Sequence, residues 1–181
     1  MNCPSPRHLT VGSPGREIPL VCPETRHHLY DLEGEIVSQD PAGTVLRRWT
    51  RDHGFPDLIV GGRFEDTTEE VCRAYEVESN AYGTEHYWIP LFRRLFPDYN
   101  HRSCRLLAIG CGIGVEVELL NEVGFDCFGV DNGNRALDWP KRRNPESLVL
   151  ANGMHLPFED RTFDAVFCGC VFPHVGVIGD S

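Results

Sequence analysis

Arg105-Leu106-Leu107-Ala108-Ile109-Gly110-Cys111-Gly112-Ile113-Gly114-Val115-Glu116-Val117-Glu118-Leu119-Leu120-Asn121-Glu122 is the stretch on which the reading of the fold turns. The apolar run from Leu106 to Ile109 is suited to a short buried strand. Three alternate glycines follow it, then a segment suited to a helix, with Gly124 as its candidate C-cap. Strand, glycine loop and helix in that order open a βαβ unit. The alternation continues downstream. Cys127-Phe128-Gly129-Val130 reads as a second strand with Asp131 at its tip, Ser147 to Ala151 as a third, and Phe163 to Cys168 as a fourth. Strands alternating with helices imply a parallel sheet, and so an α/β, Rossmann-like domain.

The same loop predicts a ligand. Glycine permits the tight turn and lets a ligand approach the main chain. The helix start offers unpaired N–H groups and a partial positive field. Asp131 follows Gly110 by 21 residues. At the carboxyl end of the neighbouring strand, its carboxylate can accept hydrogen bonds from both hydroxyls of a ribose. A dinucleotide fingerprint requires glycine at position 115, where this chain has Val115. The spacing therefore favours a nucleoside ligand without a pyrophosphate and disfavours a nucleotide-binding oxidoreductase.

A later segment completes the pattern: Ala151-Asn152-Gly153-Met154-His155-Leu156-Pro157-Phe158-Glu159-Asp160-Arg161-Thr162-Phe163-Asp164-Ala165-Val166. From Arg105 to about residue 175 the chain resembles class I S-adenosylmethionine-dependent methyltransferases, notably the type 11-like subgroup with a Leu-Pro-Phe turn before Phe-Asp-x-Val. The resemblance implies S-adenosyl-L-methionine as cofactor. It assigns Gly110, Cys111, Gly112 and Gly114 to the cofactor loop, and Asp131 with its neighbour Asn132 to the ribose. Asn152 stands where the family often has an Asp that contacts the adenine amino group. Gly153 offers its backbone N–H to the ring, and Cys168 ends the fourth strand beside the methionine portion. Ala108 departs from the family, which usually has an acid two residues before the first motif glycine. The family sheet has seven strands in the order 3-2-1-4-5-7-6. Residues 104–181 supply 3-2-1-4, so the resemblance implies an incomplete sheet in a truncated chain. No catalytic residue is assigned, because the acceptor side is built by the later strands.

The region before residue 104 has three expected parts. Residues 1–18, rich in Pro, Gly and Ser, read as a flexible tail. Residues 19–66 read as a small β-rich module of short strands broken by Gly34, Pro41-Ala42-Gly43 and Gly54. Residues 67–103 read as a helical lead-in, with Thr67-Thr68-Glu69-Glu70 as a helix start and a second piece from Tyr87 to Phe96. Cys22-Pro23-Glu24-Thr25 and Gly54-Phe55-Pro56-Asp57-Leu58-Ile59 resemble a small zinc-ribbon domain that precedes many of these methyltransferases. Thr25 stands at the second Cys position and no second Cys pair follows, so no metal is expected.

Composition bounds the function. The chain of 181 residues carries 27 acidic and 17 basic side chains, a formal charge of −10, which argues against a broad nucleic-acid surface. No apolar run is long enough for a spanning helix and the start lacks a signal peptide, so a cytoplasmic chain with no membrane partner is expected. The eight cysteines are then read as reduced thiols.

Several residues also have a plain structural reading. Cys168 and Cys170 alternate on one strand face as packing residues. His174 reads as a surface or core histidine, Arg93-Arg94 and Arg142-Arg143 as solvated faces, and Asp164 as a structural residue at the fourth strand's start. Tyr87, Trp88, Phe92 and Phe96 read as the core stripe of a helix. Two functions follow. The first is an S-adenosylmethionine-dependent methyltransferase acting on a small-molecule or macromolecular acceptor that the sequence does not specify. The alternative is a non-catalytic cofactor-binding remnant or interaction module. Oligomeric state is not legible.

Overall fold

The computed structural model describes residues 7–52, 55–61, 79–100, 103–132 and 143–169. The amino-terminal part is built of short strands. They are β1 (Arg7–His8), β2 (Thr10–Val11), β3 (Ile18–Pro19), β4 (Leu29–Leu32), β5 (Glu35–Gln39), β6 (Val45–Asp52) and β7 (Phe55–Leu58). Glu33 and Gly34 both take positive φ, which makes the tight β4–β5 turn possible. A helical stretch follows as α1 (Asn80–Gly83), a π-helical segment (Thr84–Trp88) and α2 (Ile89–Leu95). Pro90 lies at the start of α2. Lacking an N–H, and with a ring that crowds the carbonyl four residues back, it accounts for the widened turn before it.

Four strands and a helix follow: β8 (Arg105–Ile109), α3 (Val115–Glu122), β9 (Asp126–Asp131), β10 (Leu148–Ala151) and β11 (Ala165–Cys168). A 3-10 turn, Pro145–Ser147, leads into β10. Leu120, Asn121 and Gly124 end α3 in a double-bonded cap. Gly124 N–H donates to the Asn121 carbonyl and Phe125 N–H to the Leu120 carbonyl, both at 3.1 Å, with Gly124 at φ 101°.

The sheet has nine strands in the order β1-β4-β5-β6-β7-β10-β9-β8-β11. β7, β10, β9, β8 and β11 run parallel, and the strands from β1 to β7 pair antiparallel. The mixed α/β character is therefore clear, but the boundary drawn near residue 66 does not separate two bodies. Asp57 and Leu58 of β7 lie opposite Leu150 and Ala151 of β10, so the amino-terminal strands continue the same sheet. The physical reason is the edge of β10, whose unpaired backbone groups β7 satisfies.

Residues 7–18 also differ from the expected tail. β1 pairs with β4 and β2 with β3. Leu9, Val11 and Ile18 are buried, and Arg16 reaches Asp126 at 2.8 Å. Their apolar side chains cover one face of the sheet in a core with Leu29, Leu58, Leu107, Phe128, Val149 and Phe158. The opposite face packs Leu106, Ala108 and Cys127 against Val117 and Leu120 of α3 and Phe92 of α2. β8, β9 and β10 are thus buried on both faces, which is why they read as largely apolar runs rather than as an alternation. Tyr87, expected in the helix stripe, is exposed, while Trp88 and Phe92 pack on Phe167 with ring centroids 4.9 and 5.2 Å away. The helix start at Thr67 to Glu70 lies outside the described residues. No helix among the described residues is long and apolar enough to cross a membrane.

Candidate functional site

The parallel register brings the carboxyl ends of β8, β9, β10 and β11 to one rim of the sheet. The residues just past those ends are Gly110, Asn132, Asn152 and Gly169, so loops from four strands converge there. The glycine loop is sharply bent. Gly110, Gly112 and Gly114 have φ of 75°, 51° and 90°. Such angles are costly for residues with a side chain, which is why glycine alternates here. Gly110 N–H donates to the Val130 carbonyl at 2.8 Å, and Gly114 N–H to the Cys111 carbonyl at 2.8 Å. A Cβ on Gly114 would lie 2.6 Å from the Arg143 carbonyl oxygen.

The loop and the acid meet directly. Gly112 N–H donates to Asp131 Oδ2 at 2.9 Å, and the Asp131 side chain is partly exposed at the tip of β9. Asn132 follows it, also partly exposed. Cys111 turns its sulfur into the core, where a Cβ on Gly129 would lie 2.6 Å from it. Its share in the loop is therefore through its backbone.

Asn152 shapes the β10 end of the rim. Its Nδ2 donates to the Val60 carbonyl at 3.0 Å, and its Oδ1 accepts the Met154 N–H at 3.0 Å. His155 N–H closes the turn on the Asn152 carbonyl at 2.8 Å. Gly153 needs its missing side chain, since a Cβ would stand 2.8 Å from Ile109 Cγ2. Cys168 is half-buried at the end of β11, opposite Ile109 and hence beside the glycine loop. The structure thus brings Gly110, Cys111, Gly112, Gly114, Asp131, Asn132, Asn152, Gly153 and Cys168 to one end of the sheet.

Two features were not legible as site features. Glu116 reads in sequence as a helix residue, yet it is only 7% exposed, and Gly169 at the end of β11 lies against its carboxylate. The signal that could have flagged it is its place two residues after the last loop glycine. Burial, with the nearby Glu116 charge adding to it, pushes the Cys127 thiol well above its ordinary range. The second is Val60, an apolar residue whose role is carried by its carbonyl and leaves no sequence signature.

Other expectations resolve simply. Asp164 accepts the Arg105 N–H at 2.9 Å and donates its own N–H to the Arg105 carbonyl at 2.8 Å, fixing the start of β11 against β8. Arg143 is not a bare solvated face, because it pairs with Glu118 at 2.7 Å. Arg142, Cys170 and His174 lie outside the described residues.

Strand ends, glycine loop and acid thus meet at the carboxyl rim of the sheet, the place where ligands bind in open α/β sheets. Residues 107–180 match the model of the methyltransferase domain family. A stretch of 71 residues is 34% identical to sterol 24-C-methyltransferase of Schizosaccharomyces pombe, covering 35% of this chain and 19% of that protein. A stretch of 79 residues is 34% identical to an uncharacterized protein of Methanocaldococcus jannaschii, covering 44% of this chain and 33% of that protein. The matches thus span a third or less of these relatives. Residues 107–180 are therefore similar to a methyltransferase domain.

Proposed function

We propose that the chain binds S-adenosylmethionine across the carboxyl ends of β8 to β11 and serves methyl transfer to an acceptor. The observation that carries this reading is the 2.9 Å hydrogen bond from Gly112 N–H to Asp131, which locks the glycine loop to a carboxylate at the next strand tip. The residues fit the cofactor. The loop has the positive φ values of a close-approach turn, and Asp131 stands partly exposed at the adjoining strand tip.

Asp131 would hold the ribose hydroxyls, with Asn132 beside it. Asn152 and the Gly153 N–H would take the adenine edge. Gly110, Cys111 and Gly112 would border the methionine portion through their backbone, with Cys168 on the other side. Bound there, the cofactor supplies a methyl group on a sulfonium, already activated for in-line displacement. The work left to the chain is to position it and exclude water. A base is required only for an acceptor that must lose a proton, and none is assigned.

Incubation with cofactor carrying a labelled methyl group and a metabolite extract tests the activity. Label transfer above a heat-treated control is expected. Binding of NAD without binding of S-adenosylhomocysteine overturns the reading.

A further inference from the structure

We infer that Arg26 is a positioning residue for the loop from Asn152 to Phe158, and that the amino-terminal strands are thereby a working part of the site. The inference rests on the S-adenosylmethionine reading of residues 152–153 and adds to it the device that holds them.

Three consecutive carbonyls of the Leu-Pro-Phe turn are each captured by the amino-terminal strands. Arg26 Nη1 donates to the Leu156 carbonyl at 2.8 Å and Nη2 to the Phe158 carbonyl at 2.5 Å. Between them, Val21 N–H donates to the Pro157 carbonyl at 3.0 Å. A planar guanidinium suits such a task, since two parallel donors fix both distance and orientation. Arg26 is itself set by a tight turn. It has φ 62°, its N–H bonds the Cys22 carbonyl at 2.9 Å, and Cys22 N–H returns to the His27 carbonyl at 2.8 Å. His28 approaches Glu159, one residue past Phe158, at 3.4 Å. The other end of the loop is held from the same side, because Val60, just past β7, takes the Asn152 amide.

The loop from Asn152 to Phe158 is therefore clamped at both ends by residues before position 62. Between the clamps lie Gly153, Met154 and His155, of which Met154 and His155 are exposed. This exposed middle has little burial of its own and takes its shape from the ends of the loop. Loss of the Arg26 fork removes two of the three carbonyl bonds at one end and leaves the sheet pairing untouched.

Three measurements on the chain and its Arg26→Met variant test this. Amide exchange of residues 152–156 and of Phe158 in the ligand-free protein should speed up by about tenfold or more, while β8 and β9 stay protected. Affinity for S-adenosylhomocysteine should fall roughly three- to thirtyfold. The preference for that ligand over its analogue lacking the 6-amino group should narrow, which a general loss of stability does not produce. Unchanged affinity and preference in the variant overturn the proposal, as does faster exchange spread evenly over the sheet. If the unaltered chain fails to bind S-adenosylhomocysteine, the cofactor reading falls and this proposal with it, a result distinct from the others. If Arg26→Met does not fold, Arg26→Lys gives the same comparison, because it keeps the charge and loses the two-carbonyl fork.

Discussion

Gly114 closes the glycine loop at φ 90°, with the Arg143 carbonyl 2.6 Å from where a Cβ would stand. Gly114→Ala meets both a left-handed backbone and a clash with main chain, so it should cost about 2–5 kcal/mol in urea unfolding. Cys127 gives a second test at this scale. Burial and Glu116 hold its thiol in the protonated form beyond its ordinary value of 9.0. In the folded state it keeps its proton where the unfolded chain releases it. Its contribution to stability is thus present below pH 9.0 and lost as pH rises further. Urea midpoints at pH 8 and pH 10 should drop less in Cys127→Ala than in the unaltered chain. An equal drop would remove Cys127 from the alkaline response. Cys22 behaves oppositely. It is fully buried, but hydrogen bonds from the Thr25 side chain and the Thr25 and Glu24 backbone outweigh burial and lower its thiol.

At the scale of elements, β7 is the joint between the amino-terminal strands and the parallel strands. Leu58 is fully buried there in the core shared with Leu107 and Val149. Leu58→Ala should destabilise the chain by about 2–5 kcal/mol, measured by thermal or urea unfolding. A smaller loss would mean that β7 adds pairing without packing. This joint shows where the sequence could and could not be read. The segments of β8, α3, β9, β10 and β11 were legible because each is a local pattern: an apolar run, three alternate glycines, a C-cap glycine, an acid at a strand tip. The pairing of β7 with β10 is long-range, and Phe55-Pro56-Asp57-Leu58 carries no mark of its parallel partner. The burial of residues 7–18 was hidden for a related reason. Pro and Gly at 14 and 15 speak for a turn, and Leu9, Val11 and Ile18 are too few to show a period. The glycine loop and Asp131 were legible as candidate site residues because residue type and spacing alone mark them. Val60 and Arg26 were not, since one acts through a carbonyl and the other through a fold that sequence separation conceals.

At the scale of the whole molecule, one sheet runs from β1 to β11 with apolar cores on both faces. A shared sheet predicts a single cooperative transition, in which tryptophan fluorescence from Trp49 in β6 and Trp88 beside α2 changes at one midpoint. Two separate midpoints would divide the chain into independent units. The site follows from the same continuity. Strands β8 to β11 supply the rim, and the strands before them hold one of its loops. The most direct measurement is calorimetric titration of the chain with S-adenosylhomocysteine, repeated on Asp131→Ala. The unaltered chain should bind, and the variant should lose roughly 1.5–3 kcal/mol with the charged hydrogen-bond acceptor. Equal affinity in the two proteins, or no binding by the unaltered chain, would remove the carboxyl ends of β8 and β9 as the cofactor site.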